Sequence, residues 1–165
     1  MGYRNDFLTR TSGLGVLTSI FESFAPWKGE MAGRSRGVLI SNSGGKANGY
    51  ALFNLQERGS LFVKPGEEVY EGMVIGENAR NEDMDVNPVR EKKLTNMRAA
   101  GSDDADRLIP PKHLNLEQAL EFCREDECVE VTPKQVRIRK VLLDQNERAR
   151  ATSKTKKRNE QVDGQ

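Results

Sequence analysis

The feature that most limits the fold is a series of short apolar runs between residues 37 and 76, separated by glycines or a Pro-Gly pair. Leu61–Val63 stops at Pro65-Gly66, and the runs at 69–70 and 73–75 are bounded by glycines. Short apolar runs at this spacing are typical of strands in a small curved sheet or barrel. We therefore expect a β-rich domain.

Two longer runs at the start of this series predict a β-hairpin. Gly37–Ser41 and Ala47–Leu55 flank a turn-rich stretch of Asn, Ser and Gly, which favours paired strands. Upstream, apolar spacing over residues 3–14 predicts a short helix. Residues 16–24 are rich in β-branched and aromatic side chains and predict a strand. Proline and glycine then mark a linker, with a domain boundary near residue 32.

The pattern changes in the second half of the chain. Between residues 78 and 111 apolar residues are sparse, and a loop of that length in a compact domain is usually functional or disordered. Asn115 with Gln118 three residues later forms a capping-box signal, which predicts the one main helix. Strands are expected at 129–131 and 136–141. The expected class is α+β, a small curved sheet or barrel with one main helix.

Charge is unevenly distributed although the formal net charge is only +1. Residues 1–66 carry a net +4, residues 67–130 a net −9, and residues 131–165 a net +6. Such segregation favours a basic surface for a polyanion beside an acidic shell. Two hypotheses follow: an RNA-binding module, or a protein-interaction module that docks a basic partner through its acidic surface.

Composition indicates a chain without membrane or disulfide chemistry. Charged residues make up 31% of the sequence and apolar residues 36%. No apolar run approaches the roughly 18 residues needed to span a bilayer. Cys123 and Cys128 are too few for a disulfide framework, so we expect a cytoplasmic location.

Catalytic and cofactor motifs are absent from the sequence. Gly45-Lys46 is followed by Ala47, and Ile40 stands where a P-loop has its first glycine, so no nucleotide-binding P-loop is present. His113 is the single histidine, and the two cysteines are not at zinc-finger spacing. We expect no catalytic, cofactor or metal site in this chain.

Two groups of residues carry chemistry suited to nucleic acid. The irregular stretch 90–102 combines cations with amides and hydroxyls, which can contact phosphates, sugars and base edges. The same composition also fits a solvated surface loop. Alternation along 136–141 puts two arginines on one strand face, from which they can fork onto phosphates. The candidate binding residues are Arg90, Lys92, Lys93, Thr95, Asn96, Arg98, Ser102, Arg107, Arg137, Arg139, Lys140, Arg148 and Arg150.

Several long strings in this sequence resemble those of the TypA/BipA translational GTPases. They occur in the family's order over about residues 2–150, and their length makes the resemblance specific. The strings are Gly2–Thr9, Arg36–Ser41, Tyr50–Gly59, Tyr70–Met73, Leu94–Ala99, Glu130–Pro133 and Val136–Lys140.

The resemblance implies a division into three parts. Residues 1–32 are similar to the second half of a ferredoxin-like domain, the last domain of elongation factor G. Residues 33–143 resemble the family's own C-terminal domain, and residues 144–165 form a basic, partly disordered tail. The GTPase domain, with its GTP and Mg, belongs to absent parts of such a protein, so we expect a truncated chain with some risk of self-association.

The resemblance also implies partners. The family binds the ribosome in the elongation-factor site and acts in ribosome assembly and stress adaptation. A loop of its C-terminal domain contacts the acceptor end of transfer RNA, and this loop corresponds to about Lys92–Arg107. The expected partners are therefore ribosomal RNA and transfer RNA, and the stretch chosen above from residue chemistry overlaps this loop.

Overall fold

The computed structural model describes residues 3–27, 34–92 and 108–162. Four helices are present in these ranges: α1 (Tyr3–Arg10), α2 (Gly49–Gln56), α3 (Leu116–Phe122) and α4 (Gln145–Val162). The strands are β1 (Val38–Ser41), β2 (Gly45–Lys46), β3 (Gly59–Leu61), β4 (Glu68–Val69), β5 (Met73–Asn78), β6 (Met84–Val86), β7 (Glu127–Val131) and β8 (Val136–Lys140). None of the helices in the described ranges is long and apolar enough to cross a bilayer.

Six strands form one mixed sheet in the order β6-β1-β5-β8-β7, with β3 also paired to β5. Only β1 and β6 run parallel to each other, and the other pairs are antiparallel. β2 and β4 make a separate two-stranded ladder. The α+β class is confirmed, and the sheet is open rather than closed into a barrel.

Apolar residues fill both faces of the sheet, because successive side chains of a strand point to opposite sides. On β5, Ile75 joins a cluster with Leu52 of α2, whereas Val74 joins a second cluster with Ala119 of α3. Each of these side chains is at most 2% exposed. The sheet is therefore a central layer with α2 on one face and α3 on the other.

The predicted second strand of the hairpin is wrong, because residues 49–56 form helix α2. The Asn48 side chain caps this helix by accepting from the backbone N–H of Tyr50, 2.9 Å away. Ala51, Leu52 and Leu55 bury one side of it. That spacing of one and four residues matches a helix face, and a strand would have sent adjacent residues to opposite sides.

The predicted strand at 16–24 is also wrong, since these residues have no regular secondary structure. Their apolar side chains face solvent; Ile20 and Phe24, for example, are 88% and 95% exposed. β-branched and aromatic residues favour a strand only where a neighbouring strand completes the ladder.

In the second half, most predictions are confirmed. α3 begins at the expected capping box of Asn115 and Gln118, and β7 and β8 fall where strands were expected. The sequence pattern missed β6, a strand of three residues inside the polar stretch 78–111. Of the helices in the described ranges, α1 and α3 fall where helices were expected, and α2 is the one that the sequence pattern assigned to a strand.

Candidate nucleic-acid interface

The predicted binding loop begins and ends against α2. Lys92 is exposed, and its Nζ lies 6.0 Å from the centre of the Tyr50 ring at the start of that helix. Beyond the loop, the backbone N–H of Ile109 donates to Oε1 of Gln56 at the helix end, 3.0 Å away. Leu108 packs against the core cluster that α2 covers. Residues at both ends of the loop thus lie beside one short helix.

Only part of the predicted loop site lies within the described residues. Arg90 and Lys92 are both exposed, as a binding role requires. The remaining candidates lie outside the described residues: Lys93, Thr95, Asn96, Arg98, Ser102 and Arg107. The binding role of this whole group stays a prediction.

Arg137 and Arg139 of β8 occupy the strand face predicted for them. Both are half-buried, whereas Ile138 and Lys140, which alternate with them, are buried. Arg139 donates from Nη1 to the backbone oxygen of Lys140 over 3.1 Å. The two guanidinium groups therefore share one side of the sheet.

A tyrosine and a glutamate lie beside this arginine pair. The phenol of Tyr70 donates to Oε2 of Glu130 over 2.7 Å. Burial, this hydrogen bond and the negative charge of Glu130 raise the pKa of Tyr70 to about 12, and the charges of Arg137 and Arg139 act in the opposite direction. Two guanidinium groups stand here against one bonded carboxylate, so the face has an excess of positive charge.

Lys140 does not belong to a nucleic-acid surface, and its prediction as a binding residue is wrong. Its side chain is 2% exposed, and its Nζ contacts the carboxylates of Asp83, Asp126 and Glu127 at 2.6, 2.6 and 3.0 Å. Burial lowers the pKa of Lys140, but the carboxylates outweigh it and the net shift is upward. A cation in this position is neutralised within the protein and cannot reach a phosphate.

Arg148 likewise serves the fold rather than an exposed surface. Its guanidinium forms an ion pair with Asp85 of β6 and donates to the carbonyl oxygens of Leu142 and Leu143, which precede α4. Its side chain is 12% exposed. This prediction is corrected: Arg148 anchors α4 to the sheet, whereas Arg150, two residues on, is exposed.

The acidic shell of the alternative hypothesis is partly neutralised from within. Glu127 is fully buried and pairs with Arg34 at 2.8 Å as well as with Lys140. Asp83 and Asp126 also bind Lys140. The local net charge available to a basic partner is therefore smaller than the count of acidic residues suggests.

Sequence reasoning missed a cationic cleft that is lined in part by Arg137. The residues that line it are distant in sequence, so no local motif predicts it. Its lining includes Lys64, Lys112, His113, Lys134 and Arg137. Of these, Arg137 is among the predicted binding residues, and Lys134 belongs to the same basic segment of the sequence.

A protein-family comparison decides the relationship that the sequence strings suggested. A family model described as the TypA/BipA C-terminal domain matches residues 36–145, which contain the whole sheet, α2 and α3. The chain belongs to the TypA/BipA family. Within this family, the matched region is the C-terminal domain, and the P-loop of a GTPase is absent from the sequence.

Curated TypA/BipA proteins are similar to the chain over most of its length. Each is described as large ribosomal subunit assembly factor BipA. The protein of Haemophilus influenzae is 54% identical over 156 residues, 94% of this chain. Those of Salmonella typhimurium and Buchnera aphidicola are 53% and 49% identical, over 92% and 94% of the chain. The chain spans only 25–26% of these relatives' lengths.

Proposed function

We propose that this chain is a non-catalytic, RNA-binding region of a TypA/BipA protein that acts in assembly of the large ribosomal subunit. The observation that carries the proposal is the identity of 53–54% to proteins described as large ribosomal subunit assembly factors. The GTPase activity, with its GTP and Mg, is assigned to other domains of the full-length protein. Action in the cytoplasm and in stress-linked translation is part of the same proposal.

The binding mechanism we propose is positioning by cations. The loop between Lys92 and Leu108 would contact ribosomal RNA and the acceptor end of transfer RNA. The hydrogen bond of Ile109 to Gln56 and the packing of Leu108 hold the second end of this loop, which supports the proposal because an ordered end lowers the conformational entropy lost on binding. Exposed Arg90 and the guanidinium groups of Arg137 and Arg139 add phosphate contacts around it.

Salt-dependent binding of the chain to purified large ribosomal subunits tests the proposal. Changing Lys92, Lys93 and Arg98 together to Ala should weaken binding. The slope of log affinity against log salt should fall in magnitude by about 0.7 for each lost contact, the value for single strands. Co-sedimentation of labelled chain over a salt series gives both affinity and slope.

A matched control removes the same charge elsewhere. Arg36, Lys46 and Arg80 are exposed and lie outside the loop, so their triple change to Ala should keep wild-type affinity and slope. The loop assignment fails if the loop triple variant binds like wild type. The RNA-binding function itself fails if the wild-type chain shows no salt-dependent binding to the subunits.

A further inference from the structure

The sheet contains a fork where two strands meet one edge of β5. β3 pairs with residues 76–78 of β5, and β8 pairs with Met73 and Val74 on the same edge. Both run antiparallel to β5. If β8 extended further toward its N-terminus, or β3 further toward its C-terminus, the two strands would occupy the same positions along this edge. The last β3-side hydrogen bond runs from the N–H of Phe62 to the oxygen of Ile75, 2.8 Å away. Beyond it the chains must separate.

The separation leaves a cleft of about 330 Å³ between the two strand ends. Its floor is apolar: half-buried Leu114 and Val136 supply accessible surface, and Val74 and Ile138, 2% and 3% exposed, lie beneath them. Half-buried Phe62 adds an aromatic ring, which packs edge-on against Phe122 with 5.3 Å between centroids. Ala119 of α3 forms part of the wall. The volume lies at the lower end of the range for small-molecule sites.

The lips of the cleft are cationic. Lys64 follows β3, Lys134 precedes β8, and Lys112 lies on the segment that leads to α3. All three are exposed, and none forms an ion pair with a residue in the described ranges. Arg137 adds a fourth cation, against one acid, Glu67. That carboxylate accepts from the backbone N–H of Lys64 over 3.2 Å, so the lips have an excess of positive charge.

We propose that this cleft holds one nucleotide of single-stranded RNA, with its base on the apolar floor and its phosphates at the cationic lips. The inference rests on the proposed RNA-binding function and adds a second contact site to the loop. Aromatic and apolar surface beside phosphate-binding cations is how proteins hold single strands without reading sequence. A helical protein partner would not enter a cleft of this volume.

The cleft adjoins the predicted binding loop along the chain. Leu108 is the first described residue after the loop, and Lys112 at the cleft is four residues further on. Four residues span at most about 14 Å when fully extended. The N–H of Lys112 donates to the backbone oxygen of Leu61 over 2.8 Å, which fixes this connection to the end of β3. One RNA strand can therefore contact both the loop and the cleft.

Binding of fluorescently labelled oligoadenylate to the full 165-residue chain tests the cleft. The double change Lys64→Ala and Lys134→Ala should lower affinity about 25-fold at 0.1 M salt, because two lost contacts remove about 1.4 from the salt slope. The double change Arg36→Ala and Lys46→Ala removes equal charge outside the cleft and should leave affinity unchanged. Because all four side chains are exposed, both variants should keep the wild-type free energy of unfolding, and urea unfolding checks this.

Two further probes separate a nucleotide from other anions. An abasic oligomer with the same phosphates should bind roughly five- to a hundredfold more weakly, because base stacking is lost. Backbone amide resonances of Leu114, Ala119 and Ile138 should shift when oligoadenylate is added to isotopically labelled chain. Equal binding of the abasic oligomer, or unshifted resonances, would overturn the assignment of a base to the floor.

The outcomes show whether the cleft inference alone fails or the proposed RNA-binding function fails with it. If the loop triple variant loses affinity for oligoadenylate but the cleft double variant does not, the cleft inference is wrong and RNA binding stands. If the wild-type chain binds no RNA, both fail. Tighter binding of free adenosine monophosphate than of the oligomer would assign the cleft to a mononucleotide, and equal binding of oligoglutamate would assign it to acidic peptides. Either result overturns the RNA proposal.

Discussion

Adjacent residues of β8 have opposite roles because a strand alternates its side chains. Arg139 lies on the half-buried outer face, whereas Lys140 next to it is buried among three carboxylates. A buried cation is tolerated only when it is paired and hydrogen-bonded. Residue type alone therefore cannot separate a phosphate-binding cation from a structural one. The face of the strand on which the side chain lies separates them.

Tyr70 provides a test of the electrostatics beside Arg137 and Arg139. Its pKa is raised from 10 to about 12, so the neutral phenol is the form that the fold stabilises. The stabilisation should be complete below pH 10 and lost as the pH rises toward 12. The change Glu130→Gln removes the negative charge and should move the pKa of Tyr70 down toward 10. Tyrosinate absorbance over a pH titration measures this.

Tyr70→Phe is the matching control for that titration. It should abolish the absorbance component whose pKa is about 12 and should remove the loss of stability in urea unfolding between pH 10 and 12. A titration curve that keeps this component in Tyr70→Phe, or one that is unchanged in Glu130→Gln, would show that the hydrogen bond to Glu130 does not control the phenol.

At the scale of elements, the sequence correctly predicts those helices and strands that neighbouring residues determine. α3 was found from its capping box, and β7 and β8 from their alternation, because neighbouring residues fix those features. Residues 16–24 have strand composition but pair with no other strand in the described ranges, and pairing is a non-local property. The cleft was missed for the same reason, since Lys64 and Lys134 are 70 positions apart in the sequence.

Helix α2 was misread although a local signal was available. A mostly apolar stretch such as 47–55 suits a buried strand or a buried helix, and a short stretch does not separate them by periodicity alone. Asn48 is the residue that could have decided, because Asn at the start of such a run is a preferred N-cap. Because Asn48 follows the glycine-rich turn at 44–45, the same stretch also fits the second strand of a hairpin.

The cap makes a prediction for α2. Asn48→Ala leaves the backbone N–H of Tyr50 without its acceptor and should lower the free energy of unfolding by about 1 kcal/mol. Asn48→Asp keeps an acceptor oxygen and adds a favourable charge at the helix N-terminus, so it should stay close to wild type. Urea unfolding compares the three proteins. If Asn48→Ala and Asn48→Asp lowered the free energy of unfolding equally, the amide group of Asn48, rather than an acceptor oxygen at the N-cap, would be the stabilising feature.

At the scale of the whole molecule, charge segregation has two different outcomes. Part of the acidic segment is used internally, in the network of Lys140 and Arg34 with Glu127 and in the pair of Arg148 with Asp85. The cations of the cleft form no ion pair with the described residues and stay available. Basic side chains thus form buried ion pairs in one region and line the proposed binding cleft in another.

The apolar stretch from residue 14 to residue 27 is a second feature of the whole molecule. It contains six large apolar side chains that are 71–95% exposed: Leu14, Val16, Ile20, Phe21, Phe24 and Trp27. Phe21 and Phe24 pack edge-on against each other, with ring centroids 5.2 Å apart. A segment that exposes this many large apolar side chains marks an interaction site or a liability for aggregation.

We therefore expect the isolated chain to self-associate through residues 14–27, in a manner that strengthens with concentration. Burial of apolar area is the driving force, at roughly 25 cal/mol per Å² removed from water. Trp27 is the single tryptophan and is 81% exposed, so its emission should shift to the blue as association buries it. Sedimentation equilibrium measures the association directly.

Two double variants show whether this stretch is responsible. Ile20→Ser with Phe24→Ser should weaken association and leave the unfolding of the sheet unchanged, because both side chains are exposed. Leu120→Ser with Val131→Ser changes exposed apolar residues elsewhere, 59% and 63% exposed, and should associate like wild type. A wild-type chain that stays monomeric at every concentration would contradict the expectation. So would equal weakening by both variants, since association would then follow total surface apolarity rather than this one segment.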